Sequence, residues 1–102
     1  MFYEIRTEHA RAGLGAELAL YMDEIVIPLH QERGMTVVGS FAGAEDTFVW
    51  IRRFEDEADR ERVLDAVHGH PRIGTVADTV SAMLNRSEFT VRLEPTSRSG
   101  LR

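Results

Sequence analysis

The sequence predicts an α+β fold: a four-stranded antiparallel sheet covered by helices on one face. Three observations carry this reading. Phe2 to Glu8 alternates apolar and charged residues with the period of a strand; Gly34 to Phe54 holds two further strand-like runs joined by a polar turn; and the stretches between the runs have apolar residues at helical spacing. The resulting order is βαββαβ with the second α doubled. With right-handed crossovers it closes into a sheet with helices on one side.

The first run sets Phe2, Glu4, Arg6 and Glu8 against Tyr3, Ile5 and Thr7, as expected of a central strand. Gly13 and Gly15 interrupt it. Leu14, Leu18, Met22, Ile25, Val26 and Leu29 then mark one stripe of a long amphipathic helix. Pro28 lacks the N–H of a helix interior, so the helix should kink near Val26 or Ile27, and Gly34 is a natural terminator. Asp56 stands as N-cap of a second helix over about Glu57 to Val67, whose Glu, Asp and Arg residues read as a solvated face. His68-Gly69-His70-Pro71 breaks it, and Ile73, Val76, Val80, Met83 and Leu84 predict a third, shorter helix. Glu88 to Glu94 alternates again as a last strand. One domain over residues 1–95 with a loose tail, 96–102, follows.

The hairpin turns on Gly43-Ala44-Glu45-Asp46. A turn centred on Ala44 and Glu45 pairs Phe41 with Phe48, Gly39 with Trp50 and Val37 with Arg52 on one face, leaving Val38, Ser40, Val49 and Ile51 to hold the helices. An aromatic outer face of that kind calls for a second subunit, so a homodimer with apposed sheets is expected.

Composition narrows the function classes. The net charge is -5, with twelve arginines, no lysine and no basic run, which disfavours a nucleic-acid surface. Absent lysine removes Schiff-base chemistry, and absent cysteine removes disulfides, thiol nucleophiles and thiolate metal sites. No apolar run reaches membrane-spanning length and a strand-like run starts at Phe2, so neither membrane insertion nor a signal peptide is expected; the cytoplasm is the default.

Four segments together resemble the NIPSNAP-like proteins of the dimeric α+β barrel superfamily: FYEIRT from Phe2 to Thr7, PLHQERGMTVVG from Pro28 to Gly39, FVWIRRFEDEADRE from Phe48 to Glu61, and Leu93-Glu94-Pro95-Thr96. The resemblance spans nearly the whole chain. It implies a ferredoxin-like subunit that pairs through its sheet into a dimeric barrel, and it supplies no common reaction. The chain departs from the family in a shorter, more acidic hairpin turn and in the charged pair Arg52-Arg53.

The candidate ligand-binding set is Glu4, Arg6, Trp50 and Arg52. Charged side chains belong on the sheet face away from apolar helices, where the arginines offer forked donors and Trp50 a stacking surface. The alternative is a buried ion-pair network around a core tryptophan. His30 is the candidate acid or base, with Tyr3 as a phenol partner; the competing reading is a helix C-terminal histidine satisfying carbonyls. His68-x-His70 after Asp65 is too sparse for a metal site, and no metal is expected. Gly13-Leu14-Gly15 lacks the third glycine of a dinucleotide loop, and no serine has a nucleophile elbow. The function expected is binding of a small apolar or aromatic metabolite in a cavity between sheet and long helix. Cofactor-independent oxygenation, isomerisation or cyclisation is the chemistry that similar barrels imply. Haem held by His30, His68 or His70 is a minor variant. The alternative function is a non-catalytic scaffold whose cavity is filled by its own side chains.

Overall fold

The structure is a computed structural model that describes residues 1–85 and 89–101. Its elements are β1 (Phe2–His9), α1 (Gly15–Tyr21), a π-helical turn (Met22–Val26), α2 (Ile27–Glu32), β2 (Thr36–Gly43), β3 (Thr47–Phe54), α3 (Glu57–His68), α4 (Ile73–Met83) and β4 (Phe89–Leu93). All pairings are antiparallel in the order β2-β3-β1-β4, so β1 is central as expected and the fold is ferredoxin-like. Glu88, read as the start of the last strand, lies outside the described residues. Among the described residues no helix is long and apolar enough to cross a membrane.

The first helix carries out the break that Pro28 predicts. Proline has no N–H to return to the preceding turn, and the helix widens just ahead of it: the Ile27 N–H donates to the Met22 carbonyl, five residues back. Residues four apart drift by about 40° in a regular α-helix, and the wider turn offsets that drift. Leu18, Met22, Val26 and Leu29 are buried in consequence. Gly34, at φ +97, closes α2: its N–H donates to the Gln31 carbonyl at 3.0 Å, and the Met35 N–H to that of His30 at 3.1 Å. At α3 the Asp56 carboxylate accepts the Asp59 N–H at 2.7 Å, the cap read from the sequence.

The hairpin corrects two expectations. Its turn spans Ala44, Glu45 and Asp46, the last two in the left-handed region (φ 58 and 57), and pairs Gly43 with Thr47. Phe41 therefore faces Val49, Ser40 faces Trp50 and Gly39 faces Ile51, one step from the predicted register. A bulge between Val37 and Gly39 absorbs the step, so Val37 meets Arg52 as predicted. Gly39 makes room for the Phe41 ring, 3.0 Å from where a Cβ would stand, and not for Trp50.

The faces are also exchanged. Phe2, Glu4, Glu8, Phe48, Trp50, Arg52 and Phe54 are buried together on the helix side with Leu18, Met22, Val63, Val67 and Val76, whereas Phe41, Phe89 and Leu93 stay exposed on the other. Charged residues were placed away from the helices because unpaired burial is prohibitive. Here they are paired, and burial is tolerated. The open face is thus aliphatic and aromatic: Ile5, Val49, Ile51 and Val91 form its centre. Tail residues Pro95, Thr96, Ser99 and Leu101 share a pocket with Tyr3, Ile5 and Ile51 on this face, and Tyr3 is buried.

Asp46 ties the hairpin turn to the start of the first helix. Its carboxylate accepts the N–H groups of Gly13 (3.1 Å) and Gly15 (3.0 Å), and its carbonyl accepts that of Ala10 (2.9 Å). A Cβ at Gly15 would stand 2.7 Å from the Asp46 Cα, so the glycine is required by proximity. Gly15→Ala should lower stability by about 1–3 kcal/mol. Gly74→Ala, inside α4 with no atom within 4 Å of the added carbon, should raise it by about 0.5–1 kcal/mol. Urea denaturation of the two variants checks both signs.

Candidate functional site

A cavity of about 380 Å³ lies between the helix-side sheet face and the helices. This is within the roughly 300–1,000 Å³ of small-molecule sites. Its sheet wall is Arg6, Glu8, Trp50 and Arg52, and its helical walls include Met22, Val26 and His30 from the first helix, Val67 and His68 from α3, and Val76, Val80 and Ser81 from α4. His68, Ala77 and Ser81 are exposed, which puts the opening between the end of α3 and the face of α4.

Four of the six candidates meet here. His30 is edge-on to Trp50, with ring centroids 5.2 Å apart and planes at 81°. The Arg6 and Arg52 guanidiniums lie 5.9 and 5.3 Å from the Trp50 ring centre, and the indole N–H is buried without a hydrogen-bond acceptor among the described residues. Tyr3 is separated from His30 by the sheet itself, on the opposite face, so the two share no pocket. Glu4 is not on the cavity wall but directly behind it.

His30 is held in one orientation. Its Nδ1 is 2.7 Å from the Val26 carbonyl and must donate to it, since a carbonyl oxygen only accepts. The remaining lone pair is therefore on Nε2, on a ring that lines the cavity. Burial lowers the His30 pKa; the Val26 hydrogen bond opposes this, and the nearby charges of Arg52 and Arg6 add to the lowering. At neutral pH the imidazole is uncharged, as a proton acceptor must be. The hydrogen bond to Val26 uses one nitrogen only and leaves Nε2 for a second contact.

Glu4 supports the wall. It accepts from Arg52 Nη2 at 2.6 Å and Nε at 3.2 Å through one oxygen and from Arg60 Nε at 2.8 Å through the other, with Arg92 at 3.9 Å. Burial raises its pKa, but hydrogen bonds and charge from Arg52 and Arg60 outweigh that and leave it lowered. Arg52 is in turn sandwiched against Trp50 and Phe54. Glu8 was missed by the sequence reading, which had no signal to separate it from the other charges of its strand. His68 joins the cavity rim, while His70 accepts the Arg72 N–H at 3.0 Å and faces Glu32. Among the described residues no three histidine or acidic side chains converge as metal ligands.

Solved structures share this architecture. A NIPSNAP family protein from Agrobacterium tumefaciens superposes with a TM-score of 0.87 at 20% identity, over 99% of this chain and 98% of its own. An uncharacterised NIPSNAP domain protein from Burkholderia xenovorans gives 0.85 at 17%, over 97% and 98%. A putative antibiotic biosynthesis monooxygenase from Nitrosomonas europaea gives 0.69 at 14%, over 93% and 98%. At these identities the likeness is one of fold: the chain has the fold of the NIPSNAP proteins and, more distantly, of the monooxygenase. No family model and no curated protein matches it in sequence.

The shifts of His30 and Glu4 both erode stability in acid. Each has a folded pKa below its unfolded value, so the unfolded state binds more protons and stability falls with pH. The His30 contribution declines from about pH 6.5 downward and that of Glu4 from about pH 4.3 downward. Chemical denaturation across pH 3–8 should show this two-stage loss, with His30→Ala flattening the upper stage and Glu4→Gln the lower. Breaking the Glu4–Arg52 pair should itself cost about 3–5 kcal/mol.

Proposed function

We propose that the protein is a NIPSNAP-like small-molecule protein that binds an apolar or aromatic metabolite in the cavity between sheet and helices. In this reading His30 acts on the ligand as a proton acceptor without a cofactor. The observation that carries it is His30 itself: an uncharged imidazole with Nδ1 tied to Val26 and its free lone pair on the wall of a cavity that two guanidiniums also line. Isomerisation, cyclisation and oxygenation by an enolisable or phenolic substrate all begin with such a proton removal, and Arg6 and Arg52 stand where they would steady the anion that forms. The apolar remainder of the wall, Val26, Val67, Val76 and Val80 among it, suits a ring or hydrocarbon body. The monooxygenase likeness agrees with this chemistry at the level of fold. A self-filled scaffold is disfavoured by the size of the cavity.

Deuterium uptake from heavy water into the methylene of phenylacetone, followed by NMR, tests the base directly. The wild-type protein should accelerate exchange, and His30→Gln should reduce that acceleration by about 10²–10⁴-fold. Equal exchange by both proteins removes His30 from the chemistry. A Soret band in the purified protein would replace this reading with a haem-bound one.

The same reading makes the protein a homodimer through its open sheet face. Phe41 and Phe89 are 57% and 64% exposed on the face that also carries Ile5, Val49 and Ile51, and exposed apolar side chains on one face suit an interface. Light scattering should give twice the chain mass, and Phe41→Glu should shift it to the monomer.

A further inference from the structure

Glu8 lines the cavity, yet the role given to His30 does not use it. It is 3% exposed, on β1 opposite Phe48, and its carboxylate lies 3.5 Å from Arg6 Nη2. The other guanidinium on the wall, Arg52, is held by Glu4 at 2.6 Å. Among the described residues, then, each cation on the cavity wall is matched by a buried carboxylate, and the polar lining that remains is His30, His68, Ser81 and the Trp50 indole. A carboxylate ligand would set a second negative charge beside Glu8 in the cavity, and like charges at short range disfavour one another. An uncharged ligand with one hydrogen-bond donor meets no such opposition, and it finds an acceptor in His30 Nε2.

We infer that Glu8 is a specificity-determining residue: it balances Arg6 so that the cavity takes uncharged aromatic or alicyclic compounds bearing a hydroxyl or similar donor, and turns away carboxylates. This rests on the cavity being a ligand site, and it narrows the substrate class. The guanidiniums then act on charge that develops at the ligand after proton loss, not on charge that arrives with it.

Calorimetric titration with 2-naphthol and 2-naphthoate at pH 7.5 separates the alternatives, since the two share a ring system and differ in charge. The wild-type protein should bind the naphthol at least tenfold more tightly, and Glu8→Gln should shrink that ratio at least tenfold by admitting the naphthoate. Should Glu8→Gln fail to melt cooperatively, Arg6→Gln reads the same balance and should widen the ratio. A wild-type preference for naphthoate, or a ratio unchanged in a folded variant, overturns the role of Glu8 while leaving the cavity a ligand site. Binding of neither compound overturns the ligand-site reading as well.

Discussion

A carboxylate beneath a layer of helices is tolerable only when its charge is answered, and Glu4 is answered from three directions. Arg52 reaches it from β3, Arg60 from α3 and Arg92 from β4, while Glu57 on α3 takes the far side of Arg92 at 2.7 Å. The network joins the two central strands, an edge strand and a covering helix. Arg52 could not stay under the helices without it, and Arg52 is also what packs on Trp50 and Phe54. The flat stack of aromatic and guanidinium groups that floors the cavity therefore depends on a carboxylate that does not itself reach the cavity.

The roof depends on a backbone irregularity. Pro28 interrupts the helical hydrogen bonding and a π-helical turn precedes it, after which Val26 and His30 both face the sheet. The Val26 carbonyl then orients the imidazole. A single residue that removes one N–H is thus linked to the tautomer of His30. Floor and roof are held by different means, ion pairing below and helix geometry above, and α4 encloses the space between them with small apolar residues such as Val76 and Ala77.

Much of the fold was legible in the sequence because it depends on local rules. Strand alternation, the Asp56 cap, the Gly34 terminator and the Pro28 break each involve residues within a few positions of one another. The common face of Arg6, Trp50 and Arg52 was legible for a related reason: strand period places them on one side of the sheet. Which side of the sheet that would be was misread. The pattern of β1 has charges on one side and Tyr3, Ile5 and Thr7 on the other, and simple hydropathy turns the charges outward. Reciprocal pairing among Glu4, Arg52 and Arg60 reverses that rule, and no one-dimensional pattern states who pairs with whom.

The hairpin shows the same division at the scale of one residue. Its existence and its turn were written in Gly43-Ala44-Glu45-Asp46, but its register was set by Asp46, which adopts a left-handed backbone and caps the distant N–H groups of Gly13 and Gly15. By itself the sequence determined the elements, their order and the common face of Arg6, Trp50 and Arg52, because periodicity and capping act along the chain. Only the tertiary structure decided which face those residues occupy, that Glu8 joins them and that Tyr3 does not. Those outcomes depend on charge pairing and on a bulge across strands, interactions between residues far apart in sequence.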